Sequence, residues 1–149
     1  MISEENGKAA DEAQIRALII ERLKAVRTKD LNGATANVAI GIVSFDVINP
    51  LQNLGSEACR RRTQDWFASF QGEIGCDIRD LAITVGEDVA FSRSLYRVTG
   101  NKVGGEKVHM YWRSTGCYQK LEGKWVMVHE HNSVPFDPRS GKASLDLKP

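Results

Sequence analysis

The side chains able to do chemistry in this chain fall in a few places. They are Asp46 in SFDV, Arg113 in YWRST, and His129 and His131 in HEHNS. A carboxylate enclosed by apolar residues has its pKa raised toward neutrality and can serve as a general base, whereas one beside an arginine is a structural ion pair. Both readings of Asp46 stand, with Arg113 or Arg22 as the candidate partner. His129 and His131, two residues apart, lie on one face of a strand. Such histidines either move protons and donate to a substrate or are hydrogen-bonded core imidazoles. Two imidazoles and one carboxylate leave a metal shell incomplete, so no metal is expected. Cys117 with His129 has the parts of a thiol nucleophile; the plainer alternative is an inert buried thiol.

The chain that positions these groups has 149 residues, with 20 Lys and Arg against 19 Asp and Glu. That length suits one domain with its own core. The near-zero charge gives no case for a nucleic-acid partner or an acidic membrane surface. No apolar run approaches the roughly 20 residues a membrane helix needs, and the N-terminus lacks a signal peptide's basic start and apolar middle. Three scattered cysteines (Cys59, Cys76, Cys117) fit a reducing cytoplasm.

Residues 1–8 are polar and aperiodic and read as a flexible tail; residues 9–149 form the domain. Ile15, Leu18, Ile19, Leu23 and Val26 make one apolar helix stripe, with Arg22 in a stripe position that either snorkels outward or reaches a buried anion. Asp30 is the expected N-cap of a short helix to about Val38, and Ile40–Val47 reads as a strand. A third helix follows Gly55, capped by Ser56, and runs to about Phe70; its Arg60, Arg61 and Arg62 read as solvated. Beyond Ile74 the pattern is a four-strand meander. Alternation changes phase between Ile78 and Leu81, which predicts a β-bulge near Arg79 and Asp80.

The last hairpin sets which side chains share a face. Glu is poor at positive φ, so a three-residue loop with Gly123 as the left-handed residue is expected, pairing Lys120 with Lys124. In that register Thr115 faces His129 and Arg113 faces His131. Tyr111, Arg113, Thr115 and Cys117 then share the helix-covered face with Trp125, Met127, His129, His131 and Ser133. The outer face carries Met110, Trp112, Tyr118, Val126 and Val128. Both faces are substantially apolar, so a homodimer through the outer face is expected, with cover by the C-terminal segment as the alternative. Trp66 and Tyr111 are the expected pocket walls.

The segments IRALIIERLKAVRTKDLNG, VSFDVINPL, WRSTGCYQKLEGKW and above all HEHNSVPFDPRSGKA resemble the SnoaL-like branch of the nuclear transport factor 2-like superfamily, often labelled ketosteroid isomerase homologues. The resemblance implies an α+β conical fold. Three N-terminal helices pack on a strongly curved, mainly antiparallel sheet and enclose one pocket. It also implies a small-molecule ligand and a homodimer. Members include isomerases, polyketide cyclases, epoxide hydrolases, dehydratases and non-catalytic binding domains, so fold leaves the reaction open.

Asp46 stands where the isomerases keep their base, whereas Arg22 and Thr115 stand where those enzymes keep enolate-stabilising donors. The expected activity is a cofactor-free isomerase, cyclase or dehydratase. Asp46 or His131 would move a proton beside a carbonyl while Arg113 and His129 stabilise the oxyanion, and Thr115, Ser133 and Arg22 contact substrate. The alternative is a dimeric, non-catalytic binder of a small apolar acid.

Overall fold

Ile15, Ile19, Leu23 and Val26 are all buried along one side of the first helix, α1 (Ile2–Arg27), as their spacing dictates. The computed structural model describes residues 2–149. Residues 2–8, read from sequence as aperiodic, are helical and continue α1. Extending a helix needs no apolar period, and Glu4 and Glu5 in the first turn with Lys24 and Arg27 in the last complement its dipole. Met1 lies outside the described residues.

Asp30 caps α2 (Leu31–Ala34) by accepting from the Gly33 amide at 3.1 Å. This helix is one turn, shorter than expected. Thr35 Oγ1 donates back to the Leu31 carbonyl at 2.7 Å, and Asn37 takes φ +59°, which no helix continues. The chain then enters β1 (Val38–Phe45), the first strand expected before the third helix, and the short β2 (Asn53–Leu54), not expected from the sequence, before α3 (Ser56–Ala68). Gly55, not Ser56, occupies the cap position of α3.

The meander is β3 (Phe70–Val85), β4 (Val89–Lys102), β5 (Lys107–Leu121) and β6 (Lys124–Ser133). The six strands form one curved sheet in the order β2-β1-β6-β5-β4-β3, antiparallel except for the parallel β1–β6 pair. The bulge expected in β3 is present: pairing with β4 shifts between Arg79 and Ala82, with Asp80 at φ +56°.

The β5–β6 hairpin departs from expectation in two ways. Its turn is the two-residue type, with Glu122 at φ +50° and Gly123 at φ +79°, and Leu121 pairs with Lys124. A second bulge then falls at Val128, because Tyr118 pairs with Met127 while Cys117 pairs with His129. Turn and bulge together pair Thr115 with His131 and Arg113 with Ser133. The grouping of Arg113, Thr115 and Cys117 with His129, His131 and Ser133 therefore survives. Trp125 and Met127, on the other side of the bulge, join Tyr118 in the buried core instead.

The start of β6 is tied to α1 by Asp11, whose Oδ1 accepts from Trp125 Nε1 at 3.0 Å and Lys120 Nζ at 3.1 Å. The indole hydrogen bond chiefly, then Lys120, holds the Asp11 carboxyl below its ordinary value of 3.8, against an opposing effect of burial. A depressed folded-state pKa adds stability that is present above the unfolded value and lost as pH falls through the folded one. Asp11→Asn should therefore unfold about 1 kcal/mol more easily than wild type at neutral pH, with the gap closing below about pH 4. Urea titrations followed by tryptophan fluorescence at a series of pH values measure it; a gap that persists at pH 2 would refute the assignment.

Candidate functional site

The helices lie over the sheet face that carries Met110, Trp112, Glu130 and Asn132. Between them is a cavity of about 440 Å³, also bordered by Arg22 and Leu23 of α1 and Trp66 of α3. Its walls are mixed: aliphatic side chains such as Leu23, Val26, Ile48 and Val98 surround an aromatic group of Trp66, Phe70, Tyr96 and Trp112. Tyr96 and Trp112 stack with ring centroids 5.6 Å apart and planes 7° from parallel. Trp66 meets Trp112 edge-on at 6.1 Å and Phe70 at 5.4 Å.

Two carboxylate–arginine pairs are set into these walls. Asp46, just past the end of β1, accepts from its neighbour's amide, Val47 N, at 2.7 Å, and its Oδ2 lies 2.8 Å from an Arg62 terminal nitrogen. Arg22 reaches inward to Glu130, with a further contact to Met127 Sδ at 3.3 Å, so it meets a buried anion instead of snorkelling. Asn132 Nδ2 donates to the other Glu130 oxygen at 2.6 Å. Burial opposes the Arg22 charge, but the Glu130 carboxylate outweighs it and holds the guanidinium above its ordinary pKa. Burial also raises the Tyr96 phenol, which stays neutral and can only donate or accept a hydrogen bond. The cavity thiol, Cys76, is pushed up to about 12 by burial and is no nucleophile.

Several polar atoms at the site lack a partner. Trp112 Nε1, Arg62 Nε and Asn132 Oδ1 are all buried without a hydrogen bond, and all three residues border the cavity. A buried polar atom left unpaired costs roughly 1–3 kcal/mol, so these three groups call for partners that the described residues do not supply.

Of the residues singled out from sequence, Asp46, Arg22 and Trp66 border the cavity. Tyr111, Arg113, Thr115, His129, His131 and Ser133 lie on the opposite sheet face and border neither this cavity nor a second one beside α1. There Arg113 Nε donates to Ser133 Oγ at 3.1 Å, His129 Nδ1 bonds the Val43 carbonyl, and the Phe45 ring sits against both imidazoles. Cys117 is opposite His129 on that outer face. The face expected to form the dimer is inverted to match. Met110 and Trp112 border the cavity and Tyr118 is buried, hydrogen-bonded to Ser92; Val126, which alternates with buried Trp125 and Met127, stays outside, and Val128 is the bulge residue. Both faces carry apolar side chains, so alternation alone gave no means of choosing between them.

Sequence reading missed Glu130, Asn132, Tyr96, Lys102 and Arg62. The first two were legible as the residues alternating with the histidines. Arg62 read as solvated within the Arg60–Arg61–Arg62 run, yet its side chain is only 18% exposed because it turns inward to Asp46. Among the described residues, no cluster of three metal-ligating side chains occurs, and no helix is long and apolar enough to cross a membrane.

A bent, mostly antiparallel six-stranded sheet with helices over one face is the architecture of nuclear transport factor 2-like proteins. An NTF2-like protein of unknown function from Pseudomonas putida KT2440 matches at 32% identity over 95% of this chain and 98% of its own, with a TM-score of 0.86. The SnoaL-like domain model matches residues 15–137, and the chain belongs to that family. The fold is shared by LinA (16% identity, 89% of this chain and 90% of that one, TM-score 0.79). It is shared too by a candidate dehydratase of the NTF2-like family from Streptomyces avermitilis (13% identity, 85% and 97%, TM-score 0.75). No curated protein matches the sequence.

Proposed function

We propose that the cavity binds a small, largely apolar carbonyl compound and that the protein is a cofactor-free enzyme of the isomerase, cyclase or dehydratase type. The observation that carries this reading is the set of buried, unpaired polar atoms in the cavity wall: two donors, Trp112 Nε1 and Arg62 Nε, and one acceptor, Asn132 Oδ1. Of the four such atoms among the described residues, all but Asn53 Nδ2 belong to residues that border the cavity.

In the reaction, Asp46 takes a proton from the carbon next to the carbonyl. The C–H electrons form an enolate whose oxygen charge is met by the free donors, and the proton is then returned to carbon. A carboxylate has about four acceptor positions, so the Val47 and Arg62 contacts leave Asp46 capacity to act. Arg113, His129 and His131, the donors expected from sequence, have no part in this scheme because they lie across the sheet. The test is exchange of the α-protons of 2-tetralone in D₂O, followed by NMR. Wild type should accelerate exchange at least about 100-fold over buffer, the lower range for a positioned base.

A second reading is favoured by the engagement of Asp46 and Glu130, two of the three carboxylates bordering the cavity, by arginines. In it the protein binds a small apolar acid without turning it over, and 2-tetralone exchange would run at the buffer rate.

The outer sheet face supports a homodimer, as an expectation with corrected residues. It carries Phe45, Leu95 and Tyr111, and Phe91 at 51% exposure. Phe91→Glu should convert the dimer to a monomer by light scattering at micromolar concentration; a monomeric wild type or a dimeric variant would refute this interface. Three free thiols support a reducing, cytoplasmic setting.

A further inference from the structure

The charges around the cavity do not balance. Four cations border it, Arg22, Arg62, Lys102 and Lys107, against three carboxylates, Asp46, Glu106 and Glu130. Arg22 is matched by Glu130 and Arg62 by Asp46. Lys107 is exposed and solvated. Lys102 is different: it is partly buried, and among the described residues no carboxylate lies within ion-pair distance of it.

Its ammonium is nevertheless held in place. Lys102 Nζ donates to Ser69 Oγ at 2.8 Å and stands 4.0 Å from the centre of the Phe70 ring, which fixes the charge at the aromatic end of the cavity. An ammonium has three donors, and the Ser69 bond uses one. Burial holds the Lys102 pKa below its ordinary value; Glu106 offsets this in part, and Arg62 adds like-charge repulsion. The nearby Arg62 also leaves its Nε unpaired. An anion on the ammonium would offset both the burial and the repulsion from Arg62.

The wall next to Lys102 bears on the body that carries the anion. Beside Lys102, Trp66, Phe70 and the Tyr96–Trp112 stack pack into one continuous aromatic wall, whose faces and edges suit a planar ring system. We propose that Lys102 is the carboxylate anchor of this cavity and that its ligand is a flat aromatic carboxylic acid, ring against Trp66 and Trp112 and carboxylate on the Lys102 ammonium. The inference rests on the reading of the cavity as a small-molecule site, and holds whether or not that molecule is turned over.

Two probes of the same shape separate charge from fit: 2-naphthoate and its neutral amide, 2-naphthamide, titrated by calorimetry at low salt and pH 7.5. Wild type should bind the acid at least tenfold more tightly than the amide. Lys102→Met should bring the two within threefold while leaving amide affinity unchanged, which also shows that the variant is folded. Lys102→Arg should keep most of the acid preference. Equal binding of acid and amide by wild type, or an acid preference that persists in Lys102→Met, would overturn the anchor while leaving the cavity reading intact. Binding of neither probe by wild type would overturn both.

Discussion

Asp46→Asn should abolish the α-proton exchange of 2-tetralone, lowering the rate by at least about 100-fold, while leaving the affinity for 2-naphthamide within twofold of wild type. The substitution keeps the shape of the side chain and an oxygen able to accept from Val47 N or Arg62, so the wall around it persists. What it removes is the capacity to accept a proton from carbon. Glu130→Gln supplies the comparison. Glu130 has one oxygen on Arg22 and the other on Asn132, so both are already committed to the wall. It is an electrostatic keel and not the base, and its substitution should slow exchange less than tenfold. If Glu130→Gln is the more damaging change, the assignments of the two carboxylates are exchanged. If Asp46→Asn exchanges as fast as wild type, the enzymatic reading fails.

The largest effect on stability should come from Arg22→Met, at about 3 kcal/mol in urea unfolding at unchanged m-value. Arg22 and Glu130 have side chains 28% and 13% exposed, and removing the arginine strands a carboxylate with only the Asn132 amide to meet it. A buried pair is worth little against apolar replacements, but half of one is costly. The double substitution Arg22→Met with Glu130→Leu should therefore recover at least half of the loss, since no stranded charge remains. A single Arg22→Met variant within about 0.5 kcal/mol of wild type, the range of an unremarkable surface change, would show that water already solvates the pair.

The sequence by itself determined the parts whose signals are local. The stripe from Ile15 to Val26 gave α1 and its buried side, and the β3 phase change gave the bulge at Asp80. Asp46 could be placed at the end of the first strand, and the α+β order of elements was legible. The resemblance around HEHNSVPFD led to the right family.

The site was another matter, because it depends on two one-residue events in β5 and β6. Glu122 adopts positive φ although its type disfavours it, and Val128 bulges with no phase change in the apolar pattern to mark it, since Val126, Met127 and Val128 are all apolar. A strand repeats every two residues, so each such event moves the following side chains to the other face. Here they restored the grouping of the histidines with Arg113 and Thr115 while separating it from Trp125 and Met127.

Which face then lay under the helices was decided by tertiary packing. Met110, Trp112 and Tyr118 bury more apolar surface there than Tyr111, Arg113 and Thr115 could, and Arg22 from α1 found its anion in Glu130. Helix–sheet docking is a contest between two whole faces. Local patterning can state what each face contains, but only the packed structure decides which of them holds the ligand.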